Sequence, residues 1–394
     1  MHENTIAFVF PGQGSQQVGM LAAAHEKFAT VRDTFEEASQ ALDVNIWSLV
    51  MSGPQEALNL TETTQPVLLT CSVALWRAWE EASGAPPCIM AGHSLGEFSA
   101  LVCAGALGFA DAVKLVRKRG QFMQTAVPAG QGAMAAIIGV EDAEVIRICQ
   151  QVAQEESSVV SAVNFNSPGQ VVIAGNVAAV DIAISALKEA GAKRALPLPV
   201  SAPFHTQLMK PAGDHLAEVM AGIMISSPKI PVVHNVNATI ESDPEKIRTL
   251  LVEQIYSPVQ WTACMRRVIE AGAQHIVECG PGKHQFEAND VTRGAAIVVL
   301  ELLRSLDHLL QPVRGLSGRL QWRRLAVNLL ADVIQDFVRV QSRLVHVPQC
   351  GGNDLQSGFD CRNLCLRTAQ WQSFRCWANV PDFAQLICVC IAWQ

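Results

Sequence analysis

Gly92-His93-Ser94-Leu95-Gly96-Glu97 is the segment whose residue types and spacing point most directly to chemistry. A G-x-S-x-G run between a buried strand and a helix is a nucleophile elbow, in which flanking glycines relieve the crowding of a tight turn and leave the serine hydroxyl exposed. Ser94 is the candidate nucleophile. A serine hydroxyl attacks poorly until a base takes its proton, so a histidine in a downstream loop is needed. Of ten histidines, His234 falls inside an apolar strand and His215 inside a helix, positions that suit structural histidines. His205 follows Pro199, Pro203 and Phe204 at a strand end. It is the candidate base. No aspartate is evidently placed to complete a Ser-His-Asp set.

The elements that must position these two residues read as alternating strands and helices. Ile6–Phe10 is a short apolar strand running into Pro11-Gly12-Gln13-Gly14-Ser15, a turn whose glycines can adopt positive φ and turn backbone N–H groups outward toward a ligand. Thr63–Glu81 carries apolar residues at helical spacing and ends at Ser83-Gly84 and Pro86-Pro87. Cys88–Ala91 is a buried strand, and helix formers resume at Leu95. This alternation predicts a mostly parallel sheet with helices on both faces.

Gly132–Pro199 has a different rhythm. Strands are predicted at Ala133–Val140, Val159–Asn164, Gln170–Ala174 and Lys193–Leu198, and helices at Asp142–Gln154 and Val177–Ala190, with a turn at Asn166-Ser167-Pro168-Gly169. The order β-α-β-β-α-β is ferredoxin-like and makes a compact insertion at 131–199 between 1–130 and 200–283. The parent layer resumes with a helix around Thr206–Met224, a strand at Pro231–Val236, helices near Pro244–Tyr256 and Trp261–Gly272, and a strand at His275–Cys279.

Composition narrows the function. The chain has 394 residues, 49% of them hydrophobic and 16% charged, with a formal net charge of −7. It is too long and apolar for a disordered tail or a disulfide miniprotein. It has no basic field for a polyanion, so no nucleic-acid partner is expected. The start Met1–Ile6 lacks a basic region leading into an apolar one, and no apolar run reaches the length of a membrane span. A cytoplasmic protein with no membrane association, its cysteines reduced thiols, is expected. Six of the twelve cysteines crowd into Cys350–Cys390, whereas the last of nine lysines is Lys283. That break in composition marks a boundary near residue 283.

Phe8-Val9-Phe10-Pro11-Gly12-Gln13-Gly14-Ser15-Gln16, the elbow, Arg119-Gly120, Asn164-Phe165-Asn166-Ser167-Pro168-Gly169-Gln170 and Tyr256-Ser257-Pro258-Val259-Gln260-Trp261 occur in this order. Through them residues 5–283 resemble the malonyl-CoA:acyl carrier protein transacylases of fatty-acid synthesis. The resemblance implies an α/β fold: a hydrolase-like parallel-sheet domain with the ferredoxin-like small domain inserted. It implies an acyltransferase working by ping-pong transfer through malonyl-Ser94, with malonyl-CoA and acyl carrier protein as partners. No cofactor and no metal are expected, and a monomer is.

The resemblance also distributes roles. Backbone N–H groups of Gln13 and Leu95 form the oxyanion hole. Arg119 grips the malonyl carboxylate with two parallel hydrogen bonds, although as one of the basic run Lys114, Arg117, Lys118, Arg119 it also reads as a solvated surface residue. The Gln254 carbonyl orients the histidine. Asn164 and Asn166 line the pocket, although a hairpin turn explains Asn166 nearly as well. Phe204 resembles the malonyl-selective version of its loop in polyketide acyltransferases, which implies that methylmalonyl-CoA is a poor substrate. Lys114, Lys118, Lys193, Arg194 and Lys210 are candidates for a patch that docks the acidic carrier protein.

Residues 284–394 depart from the family. After Gly280-Pro281-Gly282-Lys283 the expected helix and strand are replaced by His284-Gln285-Phe286-Glu287 and an atypical segment, as an altered reading frame or gene end would produce. Poor order is expected there. Cys361-x-x-x-Cys365 and Cys388-x-Cys390 fit no common zinc spacing. Three other readings stay open: a serine thioesterase or hydrolase, a polyketide-type acyltransferase, and a family member impaired by its altered end.

Overall fold

The strands, in chain order, are β1 (Ile6–Phe10), β2 (Ile89–Gly92), β3 (Gly132–Ile138), β4 (Val160–Ser167), β5 (Gln170–Asn176), β6 (Arg194–Pro197), β7 (Val232–Val233) and β8 (His275–Glu278). The helices are α1 (Ala22–Lys27), α2 (Ala29–Leu42), α3 (Ile46–Ser52), α4 (Gln55–Leu58), α5 (Thr61–Glu81), α6 (Leu95–Cys103), α7 (Phe109–Thr125), α8 (Asp142–Glu155), α9 (Val177–Glu189), α10 (Lys210–Met220), α11 (Pro244–Glu253) and α12 (Trp261–Glu270). This computed structural model describes residues 5–200 and 202–281. The segment 284–394, with its expected poor order and its cysteine pairs, lies outside the described residues.

β7, β2, β1 and β8 form a four-stranded parallel sheet in that spatial order. Alternation along its strands separates two apolar layers, because successive side chains of a strand point to opposite faces. Phe8, Phe10, Met90 and Val232 join the larger core beneath α2, α5, α6, α7 and α10. Ala7, Val9, Ile89, Ala91 and Val233 face the other way, onto Trp261, Cys264 and Val268 of α12. The second sheet is antiparallel, in the order β4-β5-β3-β6. With α8 and α9 covering it, this is the ferredoxin-like arrangement, closed over its own core of Ile137, Val145, Ile173 and Leu187.

Two predicted elements end elsewhere. The strand predicted at Pro231–Val236 contains only Val232–Val233, because His234 and Asn235 leave the ladder for buried polar contacts with α6 and the elbow. β4 runs on through Asn166 and Ser167, so the hairpin turn is Pro168-Gly169 alone, with Gly169 at φ 74°. Pro at the first turn position and a positive-φ glycine at the second suit a type II turn. The turn reading of Asn166 is therefore corrected: it is a strand residue. The N-terminal helices α1 to α4 carry no separate prediction from the sequence.

The phase of α7 decides where Arg119 points. Phe109, Ala112, Val113, Val116, Arg119, Gly120 and Met123 are its buried stripe, whereas Lys114 and Lys118 are exposed. The surface reading of Arg119 is thus corrected, since it lies on the face that meets α5. Gly120 lets the two helices approach. A Cβ there would lie 2.6 Å from the Thr61 carbonyl oxygen and 2.7 Å from the Glu62 Cα. Among the described residues, no helix is long and apolar enough to cross a membrane.

Gly120→Ala should force α5 and α7 apart and lower stability by about 1–3 kcal/mol, the usual range for overpacking. Urea unfolding monitored by circular dichroism measures this. An unchanged midpoint would show that the helix contact is not limiting.

Candidate active site

The elbow sits where two adjacent parallel strands end. Phe10 of β1 pairs with Gly92 of β2, so the loop carrying Gln13 and the turn carrying Ser94 emerge side by side at the carboxyl edge of the sheet. Ser94 has φ 50° and ψ −105°, a conformation that costs a non-glycine residue about 1–3 kcal/mol. Its neighbours must be small. A Cβ on Gly92 would fall 1.9 Å from the Gly96 carbonyl carbon, and one on Gly96 would fall 2.1 Å from the Phe10 oxygen. Leu95 is the first residue of α6, where no intrahelical acceptor exists for its N–H.

Ser94 Oγ lies 2.9 Å from His205 Nε2. His205 Nδ1 lies 2.8 Å from the Gln254 carbonyl oxygen, which can only accept, so Nδ1 carries the proton and Nε2 is left to accept from the serine hydroxyl. A backbone carbonyl thus holds the position that an aspartate occupies in a full triad. His205 is buried, and burial first, then the Arg119 cation, push its pKa down to about 3. The Gln254 carbonyl and the Ser257 backbone act weakly in the opposite direction, and His93 adds to the depression. The base is neutral in the resting site.

Arg119 enters from α7 and is 1% exposed. Its Nη1 donates to Gln65 Oε1 at 2.8 Å, and its Nη2 donates to Gln254 Oε1 at 2.8 Å and Ser94 Oγ at 3.2 Å. Its Nε has no hydrogen-bond partner among the described residues. Nε and Nη2 are the edge on which a guanidinium receives a carboxylate with two parallel bonds. Burial lowers its pKa to about 10, which leaves it a cation near neutrality. Gln254 closes the group. Its Nε2 donates to the Ser94 carbonyl at 3.0 Å and to Glu97 Oε2 at 2.7 Å.

The other predicted residues lie around this set. Gln13 is half-buried, its Nε2 3.4 Å from Thr61 Oγ1 at the start of α5. Asn166 Oδ1 lies 2.9 Å from Nε2 of His93, the residue before the nucleophile, and so ties the small domain to the elbow. Asn164 lies on β4 with a buried, unpartnered Oδ1 and makes no hydrogen bond to Ser94, His205 or Arg119 among the described contacts. Phe204 precedes His205 and packs in the larger core. Of the proposed docking cations, Lys210 is paired with Asp214 and stands over the Tyr256 ring; Lys193 and Arg194 are exposed at β6. Gln65, Glu97 and Asn235 carry contacts that the sequence reading did not assign. Among the described residues, no group of three or more His, Cys, Asp or Glu side chains is placed to hold a metal ion.

A serine on a strand-to-helix elbow, bonded to a neutral histidine beside a buried cation, defines an acyl-transferring α/β protein. The sequence pattern of the acyl transferase domain matches residues 7–292. The chain is 58% identical over 277 residues to the malonyl CoA-acyl carrier protein transacylase of Salmonella typhimurium, an alignment covering 70% of this chain and 89% of that one. The crystal structure of an acyl carrier protein S-malonyltransferase from Vibrio cholerae superposes with a TM-score of 0.70 at 55% identity, covering 71% and 91% of the two chains. A malonyl-transacylase solved in complex with a type II polyketide-synthase acyl-carrier protein superposes with a TM-score of 0.70 at 54% identity, covering 71% and 90%. This chain belongs to the malonyl CoA-acyl carrier protein transacylase family.

With His205 at about 3, kcat/KM for acylation should stay flat from pH 8 down to about 5, without an inflection near 6.5, since this parameter reports the free enzyme's base. Rapid-quench rates across that range test it, and a titration centred near 6.5 would contradict a buried neutral base. The same shift has a sign for stability. Above 6.5 neither state protonates the group; as pH falls from 6.5 toward 3 the unfolded histidine takes up a proton that the folded one refuses, and stability is lost.

Proposed function

We propose that this protein moves a malonyl group from malonyl-CoA to the phosphopantetheine thiol of an acyl carrier protein, by way of a malonyl ester on Ser94. The observation that carries this is Ser94 Oγ held between His205 Nε2 and Arg119 Nη2. One contact activates the nucleophile and the other brings a cation within reach of the far end of a short acyl chain.

In the first half-reaction the Ser94 proton passes to His205 Nε2 as Oγ bonds to the thioester carbonyl carbon. The negative charge that develops on the carbonyl oxygen faces the N–H groups of Gln13 and Leu95. The C–S bond then breaks, and the CoA sulfur takes the proton from His205. In the second, the carrier-protein thiol gives its proton to His205 and attacks the ester carbonyl, and the Ser94 oxygen leaves with that proton. The balance closes without a cofactor or a metal. Arg119 holds the malonyl carboxylate through Nε and Nη2, the latter giving up one of its present bonds. Phe204 crowds an α-methyl, which makes methylmalonyl-CoA a poor substrate. The protein works as a cytoplasmic monomer that meets its carrier protein through exposed cations such as Lys114, Lys118 and Lys193.

Intact-mass spectra after brief exposure to malonyl-CoA should show one added malonyl group, absent in Ser94→Ala. A folded protein that gains no mass would exclude the transfer. Arg119→Ala should slow acylation by malonyl-CoA about 10²-fold, the scale of losing one partner of a buried charge-assisted pair, and slow acylation by acetyl-CoA far less. Equal losses for both would show that Arg119 serves the serine and not the carboxylate.

A further inference from the structure

The elbow's strained backbone is held by a residue from another strand. β2 pairs with β7 in the register Met90 to Val232 and Ala91 to Val233, and Asn235, two residues past the end of β7, reaches the elbow that follows β2. Its side chain spans the turn. Asn235 Nδ2 donates to the Gly92 carbonyl at 2.7 Å, and its Oδ1 accepts the Ser94 N–H at 2.6 Å. An amide offers a donor and an acceptor on two separate atoms of one short side chain, which lets it span the turn; an ionised carboxylate accepts only.

Glu97 stands behind this clamp and departs from local rule. A glutamate three residues after a serine at a helix N-terminus commonly turns back to the serine's own N–H. Here that N–H is taken by Asn235, and the fully buried Glu97 bonds the Asn235 N–H at 3.0 Å, His234 Nδ1 at 2.7 Å and Gln254 Nε2 at 2.7 Å. Gln254 Nε2 in turn reaches the Ser94 carbonyl. Both backbone polar groups of the nucleophile are therefore fixed by side chains from outside the elbow. One of the two, Gln254, is also the residue whose carbonyl orients His205, and Glu97 holds its side chain.

We infer that Asn235 is a positioning residue for Ser94: it holds the elbow in the conformation that aims Oγ at His205, with Glu97 fixing the Asn235 loop. The inference rests on the proposed acyl transfer only for its reaction, since the geometry concerns the nucleophile itself. Asn235 is fully buried against the elbow backbone, so its loss should act on the rate of attack and not on binding.

The test follows reaction of Ser94 with two reagents, malonyl-CoA and a small phosphonyl fluoride, in wild type, Asn235→Ala and the near-isosteric Asn235→Asp, with rates counted per folded molecule from thermal melting curves. Asn235→Ala should slow phosphonylation and saturated malonyl-ester formation by about tenfold or more, with half-saturating malonyl-CoA within about twofold of wild type. Asn235→Asp, which keeps an acceptor for the Ser94 N–H but turns a carboxylate oxygen on the Gly92 carbonyl beside the buried Glu97, should be slowed as well. If Asn235→Ala does not fold, Asn235→Asp decides. Wild-type rates in the folded variants, or a loss confined to half-saturation, would overturn the inference. Wild-type protein that is phosphonylated at Ser94 but never malonylated would overturn the transfer instead and leave the Asn235 comparison standing.

Discussion

A parallel strand that must become a helix within two residues has little room for side chains, and that constraint organises this molecule. Gly92 and Gly96 meet each other and the Phe10 carbonyl at distances no Cβ would survive. β1 and β2 are consequently locked together at their carboxyl ends, and with them the Gln13 loop and the Ser94 turn. The catalytic geometry is a result of strand adjacency in a parallel sheet, where ligand sites gather outside the carboxyl ends of the strands.

Features carried by contiguous residues were legible before any coordinates. The elbow declares itself through two glycines around a serine, and the small domain through the order of its strands and helices. Arg119 was legible in principle too. It continues the series Phe109, Ala112, Val113, Val116 at helical spacing, which sets it on the buried face and apart from Lys114 and Lys118. A reading by charge run alone misses this. Asn235, Glu97 and Gln65 were not legible, because each acts across a gap of fifty or more residues closed only by strand register or helix packing. Their types are ordinary for loops and helices, and the one spacing rule that applies, a glutamate three residues after a serine at a helix start, would turn Glu97 back to the serine's own N–H and not toward Asn235 and Gln254. β7 was overpredicted for the same reason: Pro231–Val236 is apolar enough for a strand, but the polar pair His234 and Asn235 is worth more to the elbow than to the ladder.

The electrostatics of the buried group set what kind of acyl chain it suits. Arg119 is a desolvated cation with no carboxylate at hydrogen-bond distance among the described residues. The nearest acid, Glu97, is reached through the Gln254 amide, which accepts from the guanidinium and donates to the carboxylate. Neutral amides satisfy the donors of a buried charge without cancelling the charge. The uncancelled cation bears on His205, whose proton affinity falls under burial and under Arg119 together. In the proposed reaction the imidazole must become positive as Ser94 attacks, beside a charge that opposes it. A malonyl chain brings its own anion into that space, whereas an acetyl chain does not. The carboxylate then contributes beyond anchoring: it supplies the charge whose absence makes the empty site a poor acceptor of protons, so that recognition of the acyl chain and activation of the base share one ion pair.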